Sequence, residues 1–127
     1  MQKGPMLSPE QFRQYVKPSY QRLMKLARDK GLPVHMHSDG DIRDLVDDLI
    51  DGGVEILNLQ DLVNGIDWIR DRFRGKVCID LDIDRQQITP FGSPEEVDRL
   101  IRREVTELGS PEGGLLMDAM ERYSCMY

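Results

Sequence analysis

Segment 76–84 constrains the fold more than any other stretch: Val77, Ile79, Leu81 and Ile83 alternate with Cys78, Asp80, Asp82 and Asp84. Side chains of a β-strand point to opposite faces in turn, so this spacing gives one apolar face and one face bearing three carboxylates. Helices can cover the apolar face. The acidic face needs partners, a metal or water, because an isolated buried charge costs several kcal/mol. The same arrangement recurs upstream. Segment 33–38 reads as a strand that puts His35, His37 and, at its exit, Asp39 on one side, and segment 54–60 does the same for Asn58 and Gln60. A parallel strand covered on both faces is apolar throughout. Three successive strands with one polar face each therefore point to a lined interior.

Helical patterns separate these strands. Ser8-Pro9-Glu10-Gln11 is a capping box with proline at the first helical position, opening a helix over 8–30 with Phe12, Tyr15, Val16, Leu23 and Met24 on its stripe. The missing amide of Pro18 predicts a kink or restart before Tyr20. Asp39-Gly40-Asp41 leads into a second helix on which Ile42, Leu45, Val46, Leu49 and Ile50 share a face. Leu62, Ile66, Ile69 and Phe73 mark a third helix ending at Gly75, and 85–92 is a longer loop. Ser93-Pro94-Glu95-Glu96 caps a fourth helix with the stripe Val97, Leu100, Ile101, Val105 and Leu108, and Leu115 to Asp118 form a fourth strand.

Helix and strand alternate four times, which argues for right-handed crossovers and a parallel sheet of the α/β class. No GxGxxG or P-loop spacing follows a strand, so a nucleotide-binding reading loses its main support. Polar residues at the carboxyl ends of parallel strands are where (β/α)8 barrels put their chemistry, and such a barrel needs about 250 residues. The chain has 127. Residues 1–127 are therefore expected to form a single partial-barrel domain, half of a (β/α)8 TIM barrel. Its open edges call for a homo-oligomer in which two copies close the barrel, or for a missing N-terminal half on a longer chain.

Charge narrows the partners. Acidic side chains number 23 against 17 basic ones, for a net charge of -6. No basic face is available to neutralise phosphates, which excludes nucleic acid and disfavours anionic membranes. No apolar run approaches the roughly 20 residues of a spanning helix, and the N-terminus lacks a signal core, so a cytoplasmic protein is expected. Cys78 and Cys125 lack CxxC spacing and read as reduced thiols.

The polar rows supply the candidate site. His35 and His37, two apart on one strand, fit an HxH ligand pair, with Asp39 as a further metal ligand or as a helix N-cap. Asp41 reads as cap or solvent-facing. His37, Asp80 and Asp82 are the candidate catalytic groups, the aspartates acting as metal ligands or as acids holding a proton or a substrate cation. Asn58 and Gln60 would orient a small-molecule substrate. Arg85 is an anion anchor or the partner of Asp84, which is itself expected at a solvated strand end.

Ser8-Pro9-Glu10, Phe12-Arg13, Lys17-Pro18, then Val34 to Gly40, then Gly53 to Asn58, resemble in order and spacing the C-terminal half of the uroporphyrinogen decarboxylase superfamily, which includes cobalamin-linked methyltransferases. The likeness runs from about residue 4 to about residue 117. It implies the last four strands of a (β/α)8 barrel. In the decarboxylase branch it implies cofactor-free decarboxylation of a tetrapyrrole or related one-carbon chemistry, with an aspartate and arginines supplied by the N-terminal half. In the methyltransferase branch a His-x-Cys-Gly turn implies zinc, which activates a thiol to accept a methyl group from a corrinoid partner. His37-Ser38-Asp39-Gly40 matches that turn with Asp in place of Cys, and zinc accepts carboxylate oxygen. The segment Met120 to Tyr127 departs from the family's glycine-rich loop and final helix. A third reading is a non-catalytic fragment or assembly module.

Overall fold

A computed structural model describes residues 4–118; Cys125 and the segment 120–127 lie outside the described residues. The elements in chain order are α1 (Pro9–Gln11), a π-helical turn (Phe12–Val16), α2 (Lys17–Arg28), β1 (His35–Ser38), α3 (Val46–Gly52), β2 (Ile56–Gln60), α4 (Asp61–Asn64), α5 (Ile66–Phe73), β3 (Cys78–Asp82), α6 (Ile88–Phe91), α7 (Pro94–Leu108) and β4 (Leu115–Asp118). The four strands form one parallel sheet in the order β1-β2-β3-β4, each beside its neighbour in sequence. This is the strand order of part of a TIM barrel.

Alternation along the strands sorts the two faces as expected. Leu57, Leu59, Ile79 and Leu81 are fully buried against Val46 and Leu49 of α3, Ile66, Ile69 and Phe73 of α5, and Leu100 and Leu108 of α7. Both capping boxes form: Ser8 accepts from the Gln11 amide and Ser93 from the Glu96 amide, each at 3.2 Å, and the Gln11 and Glu96 side chains accept in return.

Three departures from the sequence reading have local causes, and one expected break is present. The helix restarts before Tyr20: a π-helical turn over Phe12–Val16, across which the Lys17 amide donates to the Phe12 carbonyl, gives way at Lys17 to α2 with Pro18 in its first turn. A proline cannot donate to the carbonyl four residues back and its ring crowds that carbonyl, so the preceding turn widens. The second helix begins at Val46 rather than near Asp39. Side chains claim the backbone ahead of it: Gln60 accepts from the Gly40 amide, Asn64 from the Ile42 amide, and Asp41 from the Arg43 amide. The third helix is broken into α4 and α5 at Gly65, whose φ of 88° lies in the left-handed region. Finally, the loop over 85–92 contains α6, whose first turn is organised by Asp84.

On α7, Leu100 and Leu108 are buried as expected but Val105 is half exposed, and Glu104 takes the fully buried position between the two leucines. No helix of the described residues is long and apolar enough to cross a membrane.

Candidate active site

Register assembles the polar face. His37, Asn58 and Asp80 stand side by side across β1, β2 and β3, and Gln60 and Asp82 stand side by side in the next row toward the carboxyl ends. Asp39 and Arg85, just past β1 and β3, lean over that row. The structure thus brings together His35, His37, Asp39, Asn58, Gln60, Asp80, Asp82 and Arg85, linked in two groups.

The first group lies deeper. His35 Nε2 is 2.9 Å from Asp80 Oδ2, and Asn58 Nδ2 donates to the Asp80 carbonyl at 3.1 Å. The Asn58 side-chain oxygen meets His37 Nδ1. That contact fixes the imidazole's orientation and leaves Nε2 as its outward atom, 3.5 Å from Asp39 Oδ2. Cys78 sits at the start of β3, a free thiol whose pKa is raised by burial and by Asp80.

The second group closes the carboxyl end. Arg85 Nη2 binds the Asp39 carboxylate and lies 3.4 Å from Asp82 Oδ2, while Gln60 Nε2 donates to Asp39 at 3.3 Å. Arg85 therefore belongs to the site and does not pair with Asp84. Asp39 is no helix cap, since α3 starts seven residues later. Among the groups of this polar face, Asp82 is the buried carboxylate whose pKa is shifted. Its side chain is 2% exposed, and the Arg85 contact is an ion pair without a hydrogen bond, so among the described residues both carboxylate oxygens lack a donor. Burial pushes its pKa upward, against the opposing pull of Arg85 and His37.

Burial on this face is graded. Asn58, Gln60, Asp80 and Asp82 are buried, whereas His35, His37 and Asp39 on the β1 side are about half exposed. The central strands thus shelter their polar groups and the edge strand leaves its groups open.

Two carboxylates behave differently from expectation. Asp84 is buried, not solvated, and accepts from the amides of Gln86, Gln87 and Ile88 as a loop organiser. Asp41 binds Arg43 through its amide and its guanidinium, which holds the Asp41 carboxyl below the usual range. Sequence reasoning missed Asp61, 1% exposed at the start of α4, and Glu104, 0% exposed on α7.

The expected zinc ligands do not form a set. His35 and His37 address different carboxylates, Asp39 is taken up by Arg85, and among the described residues no three His, Cys, Asp or Glu side chains gather around one point. Three protein donors are what a catalytic zinc requires. The residues present do not fit that ion, and no step is derived through it.

The family model for uroporphyrinogen decarboxylase (URO-D) matches residues 2–116. The chain belongs to that family. No curated protein and no solved structure matches the chain. In a URO-D barrel the carboxyl ends of the strands carry the chemistry, which is where Asp39, Asp82 and Arg85 converge.

Proposed function

We propose that the polar face of β1 to β3 forms half of the active site of a uroporphyrinogen-decarboxylase-like enzyme acting on a polycarboxylated tetrapyrrole, completed by four further strands. A second copy of the chain or an N-terminal half-barrel would supply them. The observation behind this is Asp82, a buried carboxylate whose oxygens no donor among the described residues satisfies. Leaving such a group unpaired costs about 1–3 kcal/mol or more, and a substrate N–H would relieve that cost. Pyrrole nitrogens are such donors.

Decarboxylation breaks the bond between a side-chain carbon and its carboxylate. A proton added to the pyrrole ring makes it an electron sink, carbon dioxide departs as the electron pair passes into the ring, and the ring's proton is lost as one is delivered to the side-chain carbon. Asp82 suits the last step because its raised pKa lets it hold a proton nearer neutrality than an ordinary carboxyl. His37 Nε2 lies 3.5 Å from Asp39 Oδ2, and Arg85 binds the same Asp39, which gathers the three at this end of the sheet. Arg85 would take a substrate carboxylate by exchanging Asp39 for it, and Asn58 and Gln60 would keep His37 and Asp39 oriented.

Calorimetric titration with uroporphyrin tests the reading. The wild-type chain should bind, and Asp82→Asn should weaken binding at least tenfold, while Asp98→Asn on the exposed face of α7 leaves it unchanged. Equal affinity in wild type and Asp82→Asn, or no binding by wild type, overturns it. Stoichiometric zinc that disappears in His37→Ala would instead favour methyl transfer to a thiol, and a chain that binds neither porphyrin nor zinc would favour the non-catalytic reading.

A further inference from the structure

We propose that Glu104, outside the polar face and on the opposite side of the sheet's carboxyl end, is a positioning residue that grips Asp61 and through it fixes the backbone that presents Arg85. The consequence for a ligand rests on the site reading above; the grip itself does not.

The position is unusual for its residue. Glu104 falls four residues after Leu100 and four before Leu108, in the centre of the stripe that buries α7, and it is fully buried. Among the described residues no N–H or O–H donor reaches either of its oxygens. What it faces is the Asp61 carboxyl at the start of α4. Two carboxyls in contact away from water do not both ionise; one keeps a proton and donates it to the other. Burial, then Asp61, push Glu104 up to about 9, against a weaker pull from Arg103 on its own helix. Asp84, at the end of β3, adds to the negative field on both groups. Asp61 accepts two backbone amides and Glu104 none among the described residues, so at neutral pH Glu104 is the neutral acid and Asp61 the acceptor.

Asp61 does more than receive that proton. It accepts from the amides of Leu62 and of Asp84, the latter at 2.8 Å. Asp84 in turn spends its own carboxylate on the amides of Gln86, Gln87 and Ile88. Arg85 lies between these two anchors and reaches across to Asp39 and Asp82. A chain of single contacts thus joins the middle of an outer helix to the guanidinium of the site. Leucine at position 104 would pack the helix equally well, but it would leave Asp61 one donor short.

The experiment uses the full chain with Glu104→Gln, which keeps a neutral donor of the same shape, and Glu104→Leu, which does not. In wild type the Arg85 Nε resonance should show a shift near pH 9, as Glu104 loses its proton. Glu104→Gln should abolish that shift and retain wild-type amide protection at Asp84, Gln86, Gln87 and Ile88 at pH 7. Glu104→Leu should lose protection at those four amides at least tenfold while the amides of Leu59 and Leu81 stay protected. Unchanged protection in Glu104→Leu, or a shift near pH 9 that persists in Glu104→Gln, overturns the proposal. If Glu104→Leu does not fold, the Glu104→Gln pH profile decides alone. None of these readouts needs a ligand, so failure of the decarboxylase reading would leave them standing.

Discussion

Asp48 and Glu104 are both buried acids, and opposite surroundings give them opposite pH behaviour. Lys17 and Arg13 bind Asp48 at 2.9 and 2.8 Å, and these contacts, Lys17 first, hold its carboxyl below the usual range. Its contribution to stability is present above the ordinary aspartate pKa near 3.9 and is lost as pH falls below it. Glu104 runs the other way: its contribution is complete below the ordinary glutamate value of about 4.3 and is lost as pH rises toward about 9. Asp48→Ala should therefore destabilise the chain by about 1.5–3 kcal/mol at pH 7. Urea denaturation should show the two proteins converging below about pH 4. Residue by residue, the sequence revealed what alternation exposes. Asp80 and Asp82 were legible because acids at every second position of an apolar strand have no ordinary explanation. Glu104 carried a weaker signal, its spacing of four from both Leu100 and Leu108, masked by the charged residues around it. Asp61 carried none, because an acid that begins a helix is ordinary wherever its side chain points.

Elements were read well where backbone and side chain ask for the same structure, and badly where side chains compete for the backbone. The four strands and the helix α7 follow from period and capping. Ser93 accepts from the Glu96 amide and Glu96 returns the bond, so Ser93→Ala should cost about 1 kcal/mol. That loss is read as a lower urea midpoint at unchanged slope; no shift would mean the box adds nothing to the folded state. The start of α3 was misplaced because Gln60 and Asn64, distant in sequence, take the amides of Gly40 and Ile42. Hydrophobic spacing alone still identified the right core residues there, since Ile42 and Leu45 pack inward from a turn as they would from a helix. The π-helical turn before Pro18 keeps Phe12 buried and Val16 and Met24 partly buried, whereas Tyr15 and Leu23 of the expected stripe are exposed.

At the scale of the whole molecule, four parallel strands present one apolar face to helices and one polar face to an interior that β2 and β3 already shelter. Among the described residues β1 and β4 each pair on one side only, and the exposure of His35 and His37 follows from that open edge. The barrel class was legible in the sequence because strand spacing and polar faces are properties of the chain itself, and the family through the resemblance carried by motifs such as Val34 to Gly40 and Gly53 to Asn58. The convergence of Arg85 on Asp39 and Asp82 was not, because it depends on how loops from two strands meet. The central claim is that this polar face, not the helical surface, is where the protein meets its ligand. Mapping backbone and side-chain chemical shifts during titration with uroporphyrin tests it directly. Changes should centre on His37, Asn58, Gln60, Asp82 and Arg85; changes confined to the outer helices, with these five unmoved, would place the ligand elsewhere.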